Sequence, residues 1–471
     1  MLSSEQKKEK NLRLLASTPV FKAVIALSLP TMLSQMIGVI YNIADTLFIG
    51  RLNDPIAVAG VTFSMPLVII FNAVANLFGV GGAAFISHCL GRGDVERARK
   101  GSAFSIYCSL GLALIYTAVI GIFRDLLFPA MGASGEALAY MKDYTFYTLI
   151  LGTVPAIMSP LLAHLVRSEG ASLQGSIGLA LGGILNILLD PLFIFACGMG
   201  VAGAGLATFL SNVAACIYLI VYIFIKRRVT TINAIPRNFL CGKASAKEII
   251  VAGLPNAVVS IMAFSSNILS NYLFSAYGDQ VVAGWGIAKK IDLLAFAISQ
   301  GMTQGALPLI AYSYSARNKE RMHQAIKWSF IDSMIVAALG FGLLFGLSRH
   351  MAGLFIDDEV TVTYAEAFTR ILCVACLTTT PCFVVITIFQ ALGKKVQPFV
   401  LSFFRKGIFN MIFSLIFAYG FGEYGIAAAT PAADFVAMSV SLVVFFVFWH
   451  KFKKQELAET KENRDETAPN S

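Results

Sequence analysis

Long apolar runs, separated by short polar stretches, recur from Val20 to Trp449. Most are twenty residues or longer, enough for a helix rising about 1.5 Å per residue to cross a bilayer's hydrocarbon core. The pattern predicts twelve membrane-spanning helices, near residues 20–50, 56–90, 101–123, 137–167, 171–196, 200–225, 246–277, 281–314, 323–347, 361–392, 396–419 and 424–449. The first apolar segment runs on for about thirty residues with no small-residue cleavage site. It therefore reads as a retained span and not a signal peptide. The expected fold class is an all-α polytopic membrane protein.

Composition agrees. The chain is 57% hydrophobic and 13% charged, with a mean hydropathy of +0.73, where a soluble protein carries roughly a quarter charged residues. The net charge of +9 first suggests nucleic acid, but the positions of the basic residues exclude that partner. Summed over alternate loops, 29 of the 36 lysines and arginines fall on the side of the N-terminus and 7 on the other. Basic loops stay in the cytoplasm, so both termini are expected inside, in a multi-pass cell (inner) membrane protein. The tail from Lys451 to Ser471 is polar and charged and reads as disordered.

The spans repeat. "FACGMGVAGAGLAT" at Phe195–Thr208 aligns without gaps to "FAYGFGEYGIAAAT" at Phe417–Thr430, sharing glycines suited to a tight turn and a closing Ala-Thr. At an offset of about 224, Leu29–Pro30 echoes Leu254–Pro255, "VAG" at Val58 echoes Val282, "DVERARK" echoes "NKERMHQ", and Asn186 echoes Asn410. The expected organisation is a cytoplasmic segment over 1–19, an N-lobe over 20–225, a basic linker over 226–247, a C-lobe over 248–450 and a tail over 451–471. Six is even, so the halves are parallel repeats around a central cavity, an architecture that serves alternating access. One chain holds both lobes, so a monomer is the expectation.

The chain has no G-x-x-x-x-G-K-[ST] stretch, so energy should come from an ion or solute gradient. His88, His164 and Asp332 lie on separate spans, and no nucleophile–base pattern marks an enzyme. Cys373 and Cys376 form a C-x-x-C inside an apolar helix with no second pair, which predicts packing, with no metal, cofactor or disulfide.

Chemistry enters with acids inside the membrane. Asp190 sits in the middle of the fifth span, in "LGGILNILLDPLFIF", where a charged aspartate costs roughly 2.5–3.5 kcal/mol on insertion scales. Asn186 and Gly182–Gly183 lie on its face of the helix, and Pro191 frees the carbonyl of residue 187. In the first span Asp45 shares a stripe with Tyr41, Asn42, Gly38, Gln35 and Ser34, while Pro30 is placed to bend the helix. The sixth span presents Ala204, Thr208, Ser211 and Asn212 at helical spacing. Two carboxylates meeting there would titrate as a coupled pair, the chemistry a proton-driven pump needs. Asp434, Asp292 and Lys290 are weaker candidates, with Lys290 expected to line the cavity of the second lobe. The 37 phenylalanines and 15 methionines offer material for a soft pocket, although most must face lipid or pack.

The stretches "YNIADTLFIGRL", "NLFGVGGAAFISHCLGRGD", "NILLDPLFIF" and "VAGAGLATFLSNVAA", in this order, resemble the multidrug and toxic compound extrusion (MATE) family, in its MepA/DinF-like branch. The resemblance implies a cation-coupled exporter of cationic, amphipathic drugs, antibiotics included. It also implies an N-lobe cation site at Asp45, Asn186, Asp190 and Thr208, and a first helix that bends at Pro30. Some branches carry acids in the seventh and tenth spans; here the membrane parts of those spans have none, so a C-lobe site of that kind is not expected. Proton coupling is the first expectation and sodium the alternative. A flippase for lipid-linked precursors is a third reading, and it would need several basic residues in the cavity.

Overall fold

The computed structural model describes residues 13–467 apart from positions 53, 132 and 240. Most of the predicted N-terminal segment, and the last four residues of the tail, lie outside the described residues. Among those described, nine helices are long and apolar enough to cross a membrane, and ten when one bent pair is counted. Two more complete twelve. One is the helix Asp279–Ser315, whose apolar stretch is interrupted by Lys289, Lys290 and Asp292. The other appears because the last helical stretch breaks at Gly422, where φ is 60° and ψ −145°.

In chain order they are α1 (Val20–Gly50), α2 (Pro55–Gly91), α3 (Val95–Ala130), α4 (Gly135–Leu151 with Thr153–Ser168), α5 (Ser172–Ala196) and α6 (Gly200–Ile225). The second six are α7 (Lys243–Phe274), α8 (Asp279–Ser315), α9 (Lys319–Gly353), α10 (Glu359–Ala391), α11 (396–422) and α12 (423–467). Exposed Ile122 and Leu126 on α3, Leu188 on α5, Leu339 on α9 and Phe446 on α12 clothe the outside in hydrocarbon, as a lipid-facing surface requires.

Local chemistry explains why the two halves echo each other. Asp94 starts α3 by accepting from the Arg97 N–H at 3.0 Å, and Asn318 starts α9 by accepting from the Arg321 N–H at 3.0 Å. The "DVERARK"/"NKERMHQ" likeness is therefore a shared helix cap, whose side-chain oxygen satisfies one of the free N–H groups of the first turn. The glycine motif is a shared turn. Gly200 has φ 55° and its aligned partner Gly422 φ 60°, a left-handed geometry that costs glycine nothing.

Three features escape hydrophobic patterning. α4 bends by 49° after a π-helical segment at Phe146–Leu151. α5 ends in a second π segment at Leu192–Ala196, and α11 carries a third at Phe404–Phe409. Such widened turns are frequent at functional sites because they re-aim side chains within a helix. The tail also departs from expectation, since α12 continues to Thr467. The stretch "KKQELAETKENRDE" is rich in strong helix formers.

Each lobe surrounds an almost wholly buried element, Thr153–Ser168 of α4 in the first and α10 in the second. The lobes meet through backbone-to-backbone approaches toward the end that carries the N-terminus. A Cβ on Gly253 of α7 would lie 1.7 Å from the Leu77 carbonyl oxygen of α2, and one on Gly305 of α8 would lie 2.4 Å from Ser28 Cα of α1. Only glycine permits such contact. Polar bonds reinforce this seam. Arg97 donates to Glu248 at 2.8 Å, and His88 Nδ1 lies 2.5 Å from Ser315 Oγ. The linker is held as well: Thr230 Oγ1 donates to Glu169 at 2.6 Å, and Tyr107 donates to the Ala234 carbonyl at 2.6 Å. The lobes are thus sealed against each other at that end.

Two basic residues counted among the loops belong inside. Arg167, at the end of α4, is 2% exposed and donates to Ser34 of α1 at 3.0 Å. Arg405 lies in the π segment of α11, fully buried. Buried cations of this kind say nothing about which side a loop faces, so neither belongs in the loop-charge sum.

Candidate coupling site and central cavity

α1, α4, α5 and α6 bring the first-lobe polar residues together. Asn186 Nδ2 donates to Asp190 Oδ1 at 3.3 Å on its own helix and to Thr208 Oγ1 of α6, also at 3.3 Å. Asp190 is 0% exposed and Asn186 1%. Three oxygens of the group, Asp190 Oδ2, Asp45 Oδ1 and Asn186 Oδ1, are buried with no hydrogen-bond partner. Asp45 lies within electrostatic range of Asp190, and the phenols of Tyr41 and Tyr144 lie within range of both carboxylates. Tyr144, from α4, also interacts with Thr208; sequence pattern alone had no reason to single it out. Close packing allows the assembly. A Cβ on Gly183 would lie 2.7 Å from Ile37 Cγ2, so the glycines beside Asn186 let α1 lie directly on α5.

The remaining stripe residues have distinct places. Asn42 donates to the Gly38 carbonyl at 3.0 Å and Asn212 to the Thr208 carbonyl at 2.9 Å. Gln35, Tyr41, Asn212 and Ser34 line a polar chamber of about 150 Å³ inside the first lobe, reaching Asn186 and Thr208. Pro30 sits inside α1, which is a single unbroken helical segment here. Cys373 and Cys376 pack in an apolar cluster with Ile291 and Leu344.

A larger cavity, about 460 Å³, lies between the lobes, and Gln35, Gly38, Tyr41 and Asn72 form the wall it shares with the chamber. Its second-lobe wall carries Lys289 and Asp292, paired at 2.7 Å with side chains 22% and 14% exposed. Lys290 is not on that wall. Its ammonium sits 5.8 Å from the centre of the Phe355 ring and within electrostatic range of Asp45. The expectation that Lys290 lines the cavity thus gives way to Lys289, because adjacent helical residues point about 100° apart. Among the described residues, Phe296 and Tyr41 are the aromatic residues of the wall, and no methionine lines it.

Deeper in the second lobe, Asp434 of α12 accepts from Thr379 of α10 at 2.5 Å and pairs with Arg405 at 3.5 Å, both charges fully buried. Arg405 also stacks on Phe383, 4.3 Å from the ring centre. A space of about 10 Å³, the size of one water, separates this pair from Asp292.

Two repeated lobes sealed at one end, with a cavity between them lined by both, have the architecture of a secondary transporter of the alternating-access class. The chain belongs to the MatE family, whose model matches it twice, over residues 30–192 and 255–416. It is 30% identical over 441 residues to the multidrug export protein MepA of Staphylococcus aureus strain NCTC 8325, covering 93% of this chain and 97% of that relative. The MepA of Staphylococcus haemolyticus is 30% identical over 364 residues, 77% of this chain and 80% of that one. Among solved structures, a multidrug resistance MATE transporter of the MOP superfamily in an outward-facing conformation superposes with a TM-score of 0.88. The two share 26% identity over 94% of this chain and 99% of that one. A MOP superfamily transporter from Pyrococcus furiosus, described as having a binding pocket of reversed polarity, gives 0.86 at 26% identity over 95% and 99%.

Proposed function

We propose that this protein exports chemically varied small organic molecules across a cell membrane by antiport against an inward cation gradient, with Asp190 and Asp45 as the coupling site. The observation that carries the reading is Asp190 itself. It is a fully buried carboxylate with one oxygen bonded to Asn186 and the other bare, facing a second acid in the same lobe. No buried cation pairs with it among the described residues. A structural aspartate at this depth would find a partner for both oxygens, as Asp434 does with Thr379 and Arg405. A bare one suits a group that gains and loses charge during the cycle.

In the cycle, cation loading neutralises the pair while the cavity is open away from the terminal end. Substrate then leaves, and the glycine seam between α1 and α8 and between α2 and α7 must part for release of the cation on the other side. The three bare oxygens also favour a second reading, sodium in place of a proton, because hard cations take oxygen ligands. The flippase reading is weaker, since buried Arg167 and Arg405 are both absent from the walls of the central cavity.

The test uses purified protein in liposomes loaded with a fluorescent lipophilic cation, under a pH gradient alone and a sodium gradient alone. Dye movement under the pH gradient, lost in Asp190→Asn, is the expected result. Movement under sodium alone changes the coupling ion and keeps the site. Normal pumping by Asp190→Asn would remove Asp190 from the mechanism.

A further inference from the structure

The relatives' names speak of multidrug export, and the wall of this chain's central cavity adds a polar preference within that reading. Resting on the exporter reading, we infer that its central cavity selects polar zwitterions, molecules with an ammonium and a carboxylate close together, and that Lys289 and Asp292 read the two charges.

The first argument is electrostatic. Among the described residues, Lys289 and Asp292 are the charged residues of the cavity wall, joined at 2.7 Å across one turn of α8. A ligand bearing a single charge can bind one partner only by taking it from the other, which leaves a half-buried charge unpaired, a costly outcome. A zwitterion exchanges the pair evenly: its carboxylate takes the Lys289 ammonium and its ammonium takes the Asp292 carboxylate. Every charge keeps a counter-charge, and the net charge of the wall stays zero. Asp45 and Asp190, the acids of the first-lobe site, are not among the residues of this wall.

The second argument is hydrogen bonding. Gln35, Asn72 and Asn76 from the first lobe face Asn267 and Gln300 from the second across the same space. Among the described residues none of these five amides has a side-chain hydrogen bond to the protein. Each amide offers one acceptor oxygen and two N–H donors, so they stand ready for water or ligand. An apolar cation would displace water from them without replacing its bonds, while a polar ligand replaces those bonds. Ligand cavities are mostly apolar with few polar groups; this one keeps apolar surface but carries polar side chains at 14 of its 22 lining residues, which suits a polar ligand.

The experiment measures binding by fluorescence and gradient-driven flux in liposomes for four probes. These are Nε-dansyl-lysine as the zwitterion, its methyl ester as the cation, its Nα-acetyl derivative as the anion, and tetraphenylphosphonium as a lipophilic cation. The expected result is binding of the zwitterion at least about tenfold tighter than of either singly charged derivative, which is about 1.4 kcal/mol. The double variant Lys289→Gln/Asp292→Asn removes both charges together, so it leaves neither unpaired, and it should bind all three dansyl probes within about threefold of one another. Equal or tighter binding of the ester or of tetraphenylphosphonium by the wild type overturns the inference, as does selectivity retained in the double variant. The two readings fail separately. Gradient-driven flux of tetraphenylphosphonium but not of the zwitterion keeps export and sinks zwitterion selection. Selective zwitterion binding with no gradient-driven flux of any probe sinks export and keeps the recognition site.

Discussion

The two lobes share one polar frame and put it to different use. In the first, Asn186 donates to Thr208 at 3.3 Å; in the second, Asn410, at an offset of 224, donates to Thr430 at 3.2 Å. One helical turn beyond the asparagine the first lobe has Asp190 and the second has Ser414. Both are buried, at 0% and 1% exposure. Two membrane-embedded acids of the second lobe have a cation beside them, Asp292 with Lys289 at 2.7 Å and Asp434 with Arg405 at 3.5 Å, while Asp332 of α9 is buried with one oxygen bare and stands outside the Asn–Thr frame. A carboxylate with a fixed counter-ion keeps its charge, whereas one without is free to lose it. The two copies share the frame, and at the position one turn beyond the asparagine only the first carries an ionisable group.

The largest break in this comparison is Asp190→Asn. It should lower gradient-driven efflux at least about a hundredfold while the protein remains folded, with the loss of stored dye from liposomes as the readout. Its mirror, Ser414→Ala, should leave efflux within about twofold of wild type, because Ser414 carries no ionisable group. An equal loss in both would make the frame, and not the acid, the functional element.

Next comes Arg405→Leu, which strands Asp434 as a buried charge and should destabilise the protein by about 3–5 kcal/mol, read as a lower melting temperature in detergent. The double change Arg405→Leu/Asp434→Leu should recover most of that loss while leaving cation coupling intact. A double variant that folds but no longer couples would place the second lobe in the ion pathway.

Smaller effects should separate the two asparagines. Asn186→Ala removes the donor to Asp190 and should slow efflux by about tenfold, since a hydrogen bond to a charged group contributes about 1.5–3 kcal/mol. Asn410→Ala should raise the half-saturating substrate concentration and leave the dependence on the driving gradient unchanged, because Asn410 lines the central cavity. A separate readout, outside this ranking by efflux, is Gly253→Ala. Its Cβ would strike the Leu77 carbonyl oxygen at 1.7 Å, so it should loosen the sealed end, seen as faster thiol labelling of a reporter cysteine at the seam.

The sequence by itself determined the number of spans, the duplication and the identity of the first-lobe acids. Each rests on a local signal: apolar length, a shared cap at Asp94 and Asn318, or a carboxylate in an apolar helix. Even the Asn–Thr frame was visible, because the paired glycine motifs end at Thr208 and Thr430. Tertiary structure alone decided which charges have partners. Arg405 is about thirty residues from Asp434 and read as a loop residue. Tyr144 reaches the acid pair only after a π turn and a bend of 49° in α4. Lys289 and Lys290 are indistinguishable by composition, yet one faces the cavity and the other turns toward Phe355 and Asp45. Hydrophobic pattern reports what a helix puts toward lipid. The partner of a buried charge is set by how helices pack and rotate against one another, and that is a property of the whole bundle.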